Sequence, residues 1–185
     1  MIPEVIENRI LRQDVLDKID SVCERSKSII SSLYSSTSGL LVCKCCCIRE
    51  IIEQNKANNT RNRFPMLSDA TNKTGVYLFI NSEYVPVYIG VGGVGKSDDL
   101  ADRVRNECKL YPSEDTGATL SKKIKENSSL LCNKLSDDQI ISMICSFEVI
   151  VIDLGKMDNP DNQKFASYLE SLLILLFKPL YNKQG

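Results

Sequence analysis

Gly75–Ser97 reads GVYLFINSEYVPVYIGVGGVGKS, and two parsings of it lead to different folds. From its start it is a β-hairpin. Val76, Leu78 and Ile80 alternate with Tyr77 and Phe79, and after a polar turn Val87 and Ile89 flank Tyr88. A single register puts Tyr77 and Tyr88 on the same face, although the sequence does not fix that register. From its end, Gly90–Ser97 satisfies G-x-x-x-x-G-K-S, a loop whose backbone amides cradle nucleotide phosphates, directly after an apolar strand. The first parsing demands an antiparallel pair, because a short loop cannot make the crossover that parallel strands need. The second demands a parallel sheet of repeated strand–helix units, roughly 30 residues each.

Working outward, Glu4 to about Tyr34 carries Ile6, Leu11, Val15, Leu16, Ile19, Val22 and Ile29 at helical spacing. After Ser35–Gly39 a second helix is expected from Leu40 to about Gln54, followed by the polar linker KANNTRNRF. The domain boundary is placed near Pro65. Residues 1–64 form a helical region of unknown role, a brace or a recognition or dimerisation module, and 65–185 form the second domain. Beyond the hairpin, Ser97-Asp98-Asp99 is an N-cap with first-turn acids, opening a helix through about Cys108. A short basic helix follows over Thr119–Glu126. FEVIVIDL (Phe147–Leu154) is a continuous apolar run, expected as a central buried strand. Asp158–Asp161 opens a last helix to about Phe177. The fold expected is α+β: a small three-stranded mixed or antiparallel sheet flanked by helices.

Composition restricts the chemistry. The chain has 185 residues, net charge −1 and no His, which removes His bases, Ser-His and Cys-His dyads and His-ligated zinc. Bulk charge gives no nucleic-acid signal, so such contacts fall to local patches, for which Lys96, Arg105, Lys122 and Lys123 are the candidates. No signal peptide or membrane span is expected, so the eight Cys read as reduced thiols of a cytoplasmic or nuclear protein. Within Cys43–Cys47 only Cys43 and Cys46 have C-x-x-C spacing. Without a second pair or a His, buried small residues on a helix explain the cluster better than zinc.

Five separated elements arrive in one order: Gly75-Val76-Tyr77, Tyr88-Ile89-Gly90, Leu100-Ala101-Asp102-Arg103, Glu170, and Pro179 with Asn182. Together, over roughly residues 74–183, they resemble the GIY-YIG nuclease family. The resemblance implies a metal-dependent endonuclease hydrolysing DNA, with Tyr77, Tyr88, Arg103, Glu170 and Asn182 as site residues. It implies Mg²⁺ or Mn²⁺ on Glu170, no small-molecule cofactor, and a possible homodimer, since one site cuts one strand. The chemistry is coherent. A carboxylate suits a hard cation, a guanidinium fork clamps a phosphate, and a tyrosine oxygen orients or deprotonates water. Which tyrosine takes the proton is left open. Glu170 lies among Ala166, Ser167, Leu173, Ile174 and Phe177 at helical spacing, where a carboxylate is costly unless a cation or donors meet it. Glu107, one turn after Arg103, departs from the family, which often has His or Tyr there.

Two alternatives stand beside this reading. VIVID (Val149–Asp153) imitates the second signature of phosphate-loop proteins, an apolar strand ending in a Mg²⁺-directed Asp. An ATP- or GTP-binding protein would therefore use Gly90–Ser97 and Asp153. Against it stand the few strands and the Asp98-Asp99 pair beside the phosphates. The other alternative is a nuclease-like domain that binds nucleic acid without cutting, with Glu107 as the mark of lost activity.

Overall fold

A computed structural model describes residues 40–60, 64–83, 85–95, 98–109, 119–130 and 135–182. The helix expected over residues 4–34 lies outside them, as do Lys96 and Ser97.

The hairpin parsing gives the local structure. β2 (Lys73–Ile80) and β3 (Pro86–Gly92) pair antiparallel, with Tyr77 opposite Gly90 and Phe79 opposite Tyr88. β4 (Glu148–Lys156) pairs antiparallel with β2 on its other side, Tyr77 opposite Val151 and Phe79 opposite Val149. Its continuous apolar run is explained by this central position, covered on both faces.

The sheet has four strands, not three, in the order β1-β4-β2-β3. β1 (Leu40–Lys44) runs antiparallel to β4, from Leu40 opposite Ile152 to Lys44 opposite Glu148. The helix expected from Leu40 thus begins only at Cys45, as α1 (Cys45–Ala57). The free edge of β4 supplies partners for the Leu40–Lys44 backbone, and this outweighs the local helical pattern. Residues on both sides of Pro65 share one sheet and one core, since Cys43, Cys45 and Ile48 are buried in the same cluster as Tyr77 and Val104.

A 3₁₀ turn (Pro65–Ala70) leads into β2. After the hairpin come α2 (Leu100–Glu107), α3 (Thr119–Leu130), α4 (Asp137–Cys145) and, after β4, α5 (Pro160–Phe177). Asp99 caps α2, accepting from the Asp102 N–H at 2.8 Å and also from the Asn72 N–H at 2.7 Å. α4 was not expected, although Ser136 and Gln139 form a complete capping box at its start.

Alternation along the strands divides the core into two layers. Val76, Leu78, Ile80, Ile89, Ile150 and Ile152 face Leu169 and Leu173 of α5. Tyr77, Phe79, Tyr88, Val149 and Val151 face the other helices, meeting Ile48, Leu100, Val104, Leu120, Ile124 and Ile144. Every strand pair among the described residues is antiparallel. The parallel sheet required by the phosphate-loop reading is therefore not the sheet these residues build. Asp153 is paired with Lys73 at 3.2 Å and accepts from the Gly155 N–H.

Candidate active site

The hairpin register brings the two tyrosines together. Their ring centroids lie 6.2 Å apart, on the face covered by α2 and α3. Gly90 makes the arrangement possible: a Cβ there would collide with the Tyr77 hydroxyl, whose ring lies across it. Gly75, at the start of the first tripeptide, is constrained as tightly. A Cβ would strike the Ile152 carbonyl and come within 2.9 Å of Leu100 Cδ2. The two glycines thus mark where a ring and a neighbouring strand with its covering helix approach the backbone.

α2 buries Leu100 and Val104 against the sheet, which aims Arg103 and Glu107 at the tyrosines. Glu107 is 1% exposed and is the hub of the site. Its Oε1 accepts from the Tyr77 hydroxyl at 3.2 Å and the Tyr88 hydroxyl at 3.4 Å. Arg103 Nη2 lies 3.7 Å from the same oxygen. Oε2 accepts from the Leu120 N–H at 2.9 Å, which fixes the start of α3 to the carboxylate. From α3, Lys123 Nζ donates to the Tyr88 oxygen at 3.1 Å and lies 4.2 Å from the centroid of its ring.

Burial, followed by the negative charge of Glu107, pushes the Tyr77 phenol well above its ordinary range, with Arg103 pulling the other way. Burial opposes the charge on Arg103, but Tyr77 and Glu107 outweigh it and hold the guanidinium more firmly protonated than usual.

Glu170 approaches from α5. Burial raises its carboxyl above the ordinary range, and Lys123 and then Arg103 act against that rise. The side chain therefore lies in the field of the same two cations that serve the tyrosines. Among the described residues no group of three Cys, Asp or Glu side chains is placed to hold a metal ion. The donor set still fits Mg²⁺ or Mn²⁺ in its usual enzyme mode, held by one carboxylate, waters and a substrate phosphate rather than by a protein cage. Burial pushes the Cys43 thiol up to about 12.

Asn182 lies at the back of the site. Its amide clamps the edge strand, accepting from the Ile89 N–H at 2.9 Å and donating to the Ile89 carbonyl at 2.8 Å. Beside it the Tyr181 N–H donates to the Val87 carbonyl at 2.9 Å. The tail after α5 thus fixes the backbone on either side of Tyr88.

The basic candidates separate. Lys123 is part of the tyrosine cluster, Lys122 is exposed on α3, and Arg105 pairs with Asp102 at 3.1 Å. Lys96 lies outside the described residues. Glu107 is the site residue that sequence reasoning undervalued. The available signal was a carboxylate one helical turn after Arg103 with buried Val104 between them, which places both on the sheet side of α2.

Comparison with models of known protein families and with curated proteins gives no match to this chain.

Proposed function

We propose that this protein is a metal-dependent endonuclease that hydrolyses DNA phosphodiester bonds in the manner of the GIY-YIG family. The observation that supports it most is the convergence on one carboxylate oxygen of three side chains from three elements: Tyr77, Tyr88 and Arg103. Arg103 supplies a planar fork for a non-bridging phosphate oxygen. The tyrosine oxygens orient the attacking water. Asn182 holds Tyr88 in place through the backbone of β3. Glu170 would hold Mg²⁺ or Mn²⁺, which when bound neutralises charge building on the phosphate. Arg103 and Lys123 keep the Glu170 side chain in a positive field that also favours the polyanion.

The test is cleavage of supercoiled plasmid with Mg²⁺ by wild type, Glu170→Ala and Lys96→Ala in parallel. Cleavage by wild type, lost in Glu170→Ala, is the expected result. Metal-dependent cleavage that survives Glu170→Ala would remove Glu170 from its role. A second reading, DNA binding without cleavage, is favoured by the position of Glu107 on the tyrosines and Arg103, where a phosphate would otherwise lie. It predicts DNA binding with no strand scission under any divalent metal.

A further inference from the structure

The nuclease reading leaves a buried carboxylate without a task. Glu107 is 1% exposed, yet both tyrosine hydroxyls donate to its Oε1. A tyrosine whose O–H bond points at a carboxylate already has a destination for its proton, so its oxygen can take another from water. The two tyrosines are not equivalent in this respect. Tyr77 is 0% exposed and lies between two strands, whereas Tyr88 is on the edge strand and 4% exposed. Lys123 also donates to the Tyr88 oxygen at 3.1 Å, which stabilises negative charge there.

Resting on that reading, we propose that Tyr88 and Glu107 form the proton relay of the cleavage step, with Tyr77 bracing the carboxylate. As the water oxygen bonds to phosphorus, its proton passes to Tyr88 Oη and the Tyr88 proton passes to Glu107 Oε1. The bond from phosphorus to the leaving ester oxygen breaks, that oxygen takes a proton from solvent, and Glu107 returns its proton to solvent afterwards. No electrons change hands. Glu107 acts through Tyr88 and does not touch the substrate. Among the described residues, the charged and titratable groups around it include Tyr77 from β2, Tyr88 from β3, Arg103 from its own helix and, beyond Tyr88, Lys123 from α3. Glu170 from α5 lies in the field of the same two cations.

The test uses the full chain with Mg²⁺ and plasmid between about pH 5 and 9, comparing wild type, Glu107→Gln and Tyr77→Phe, with DNA affinity measured in Ca²⁺. The relay predicts that Glu107→Gln cuts about 100-fold more slowly at neutral pH, within the usual contribution of a positioned base. Its rate should climb with hydroxide above neutral pH, where the wild-type rate levels off, while its DNA affinity stays within about twofold. Tyr77→Phe should lose less than about tenfold. A Glu107→Gln protein that cuts within about threefold of wild type, or whose rate does not climb with hydroxide above neutral pH, overturns the relay while Glu170-dependent cleavage stands. A wild type that cuts under no divalent metal overturns the nuclease reading and the relay with it. Should circular dichroism show Glu107→Gln unfolded, Tyr88→Phe decides. Wild-type cleavage by that variant overturns the relay, and a folded Tyr88→Phe that loses rate and climbs with hydroxide in the same way supports it.

Discussion

Burial raises the Glu170 carboxyl above the ordinary carboxylate range, so the folded chain holds its proton more tightly than the unfolded chain does. Between the unfolded and folded values the native state binds more protons, so this group's contribution to stability falls as pH rises through that interval. At neutral pH the charged form is a burden on the fold. Glu170→Gln is therefore expected to raise Tm at pH 7, with the difference vanishing below the carboxylate range, while abolishing cleavage. Thermal melts at the two pH values together with the plasmid assay check this, and a lowered Tm at pH 7 would contradict it. Gly90 carries the opposite consequence. Gly90→Ala sets a methyl on the Tyr77 hydroxyl and ring, between backbone and aromatic atoms with little room to move. Overpacking of this kind costs about 1–3 kcal/mol. In a chain of this length it lowers Tm by roughly 2–12 °C. Cleavage should fall with it, because the displaced ring is one of the two held on Glu107.

At the scale of elements, the candidate-site side of the sheet ends in β3, which among the described residues has no strand partner on its outer edge. The Asn182 amide and the Tyr181 N–H stand in for one. Asn182→Ala leaves the Ile89 N–H and carbonyl without those partners, at a cost of about 1–3 kcal/mol when such groups are partly buried. Faster amide exchange at Ile89, with a lower Tm, is the expected readout, and unchanged exchange would show that solvent replaces the clamp. The hairpin, the central strand and the last helix were legible because their signals are local: alternation on β2 and β3, a continuous apolar run on β4, and Asp158–Asp161 at the opening of α5. Tyr77, Tyr88 and Arg103, which the fold brings together, were picked out for a different reason, as members of an ordered set of short patterns. β1 was not legible. Leu40–Lys44 runs without a break into the cysteine-rich start of α1, and only its pairing with distant β4 makes it a strand. Glu107 was legible only in part: its spacing from Arg103 puts it on the same side of α2, but its donors from β2, β3 and the start of α3 are set by the fold.

For the whole molecule, β1 and α1 belong to the folded body even though a polar linker separates them from the hairpin. α1 packs on α4, and Cys43, Cys45 and Ile48 are buried in the core that also holds Tyr77, Leu100 and Val104. β1 covers the edge of β4, where Val149, Ile150, Val151 and Ile152 form a long apolar strand. A chain starting at Pro65 would keep every proposed site residue yet leave that edge open, and an exposed, flat, apolar edge is a template for pairing with another copy. It would also lose the burial of Ile48, for which truncation in a core typically costs about 2–5 kcal/mol. A chain starting at Leu40 keeps both features. The expectation is that the Pro65 chain is recovered as aggregate or melts well below the full chain. The Leu40 chain should stay monodisperse and retain the far-ultraviolet signal of the sheet. Size-exclusion chromatography with thermal melts of the two truncations separates them. A monomeric Pro65 chain with the full-length Tm would show that β1 covers β4 without stabilising it, and that the β4-β2-β3 sheet with its helices folds unaided.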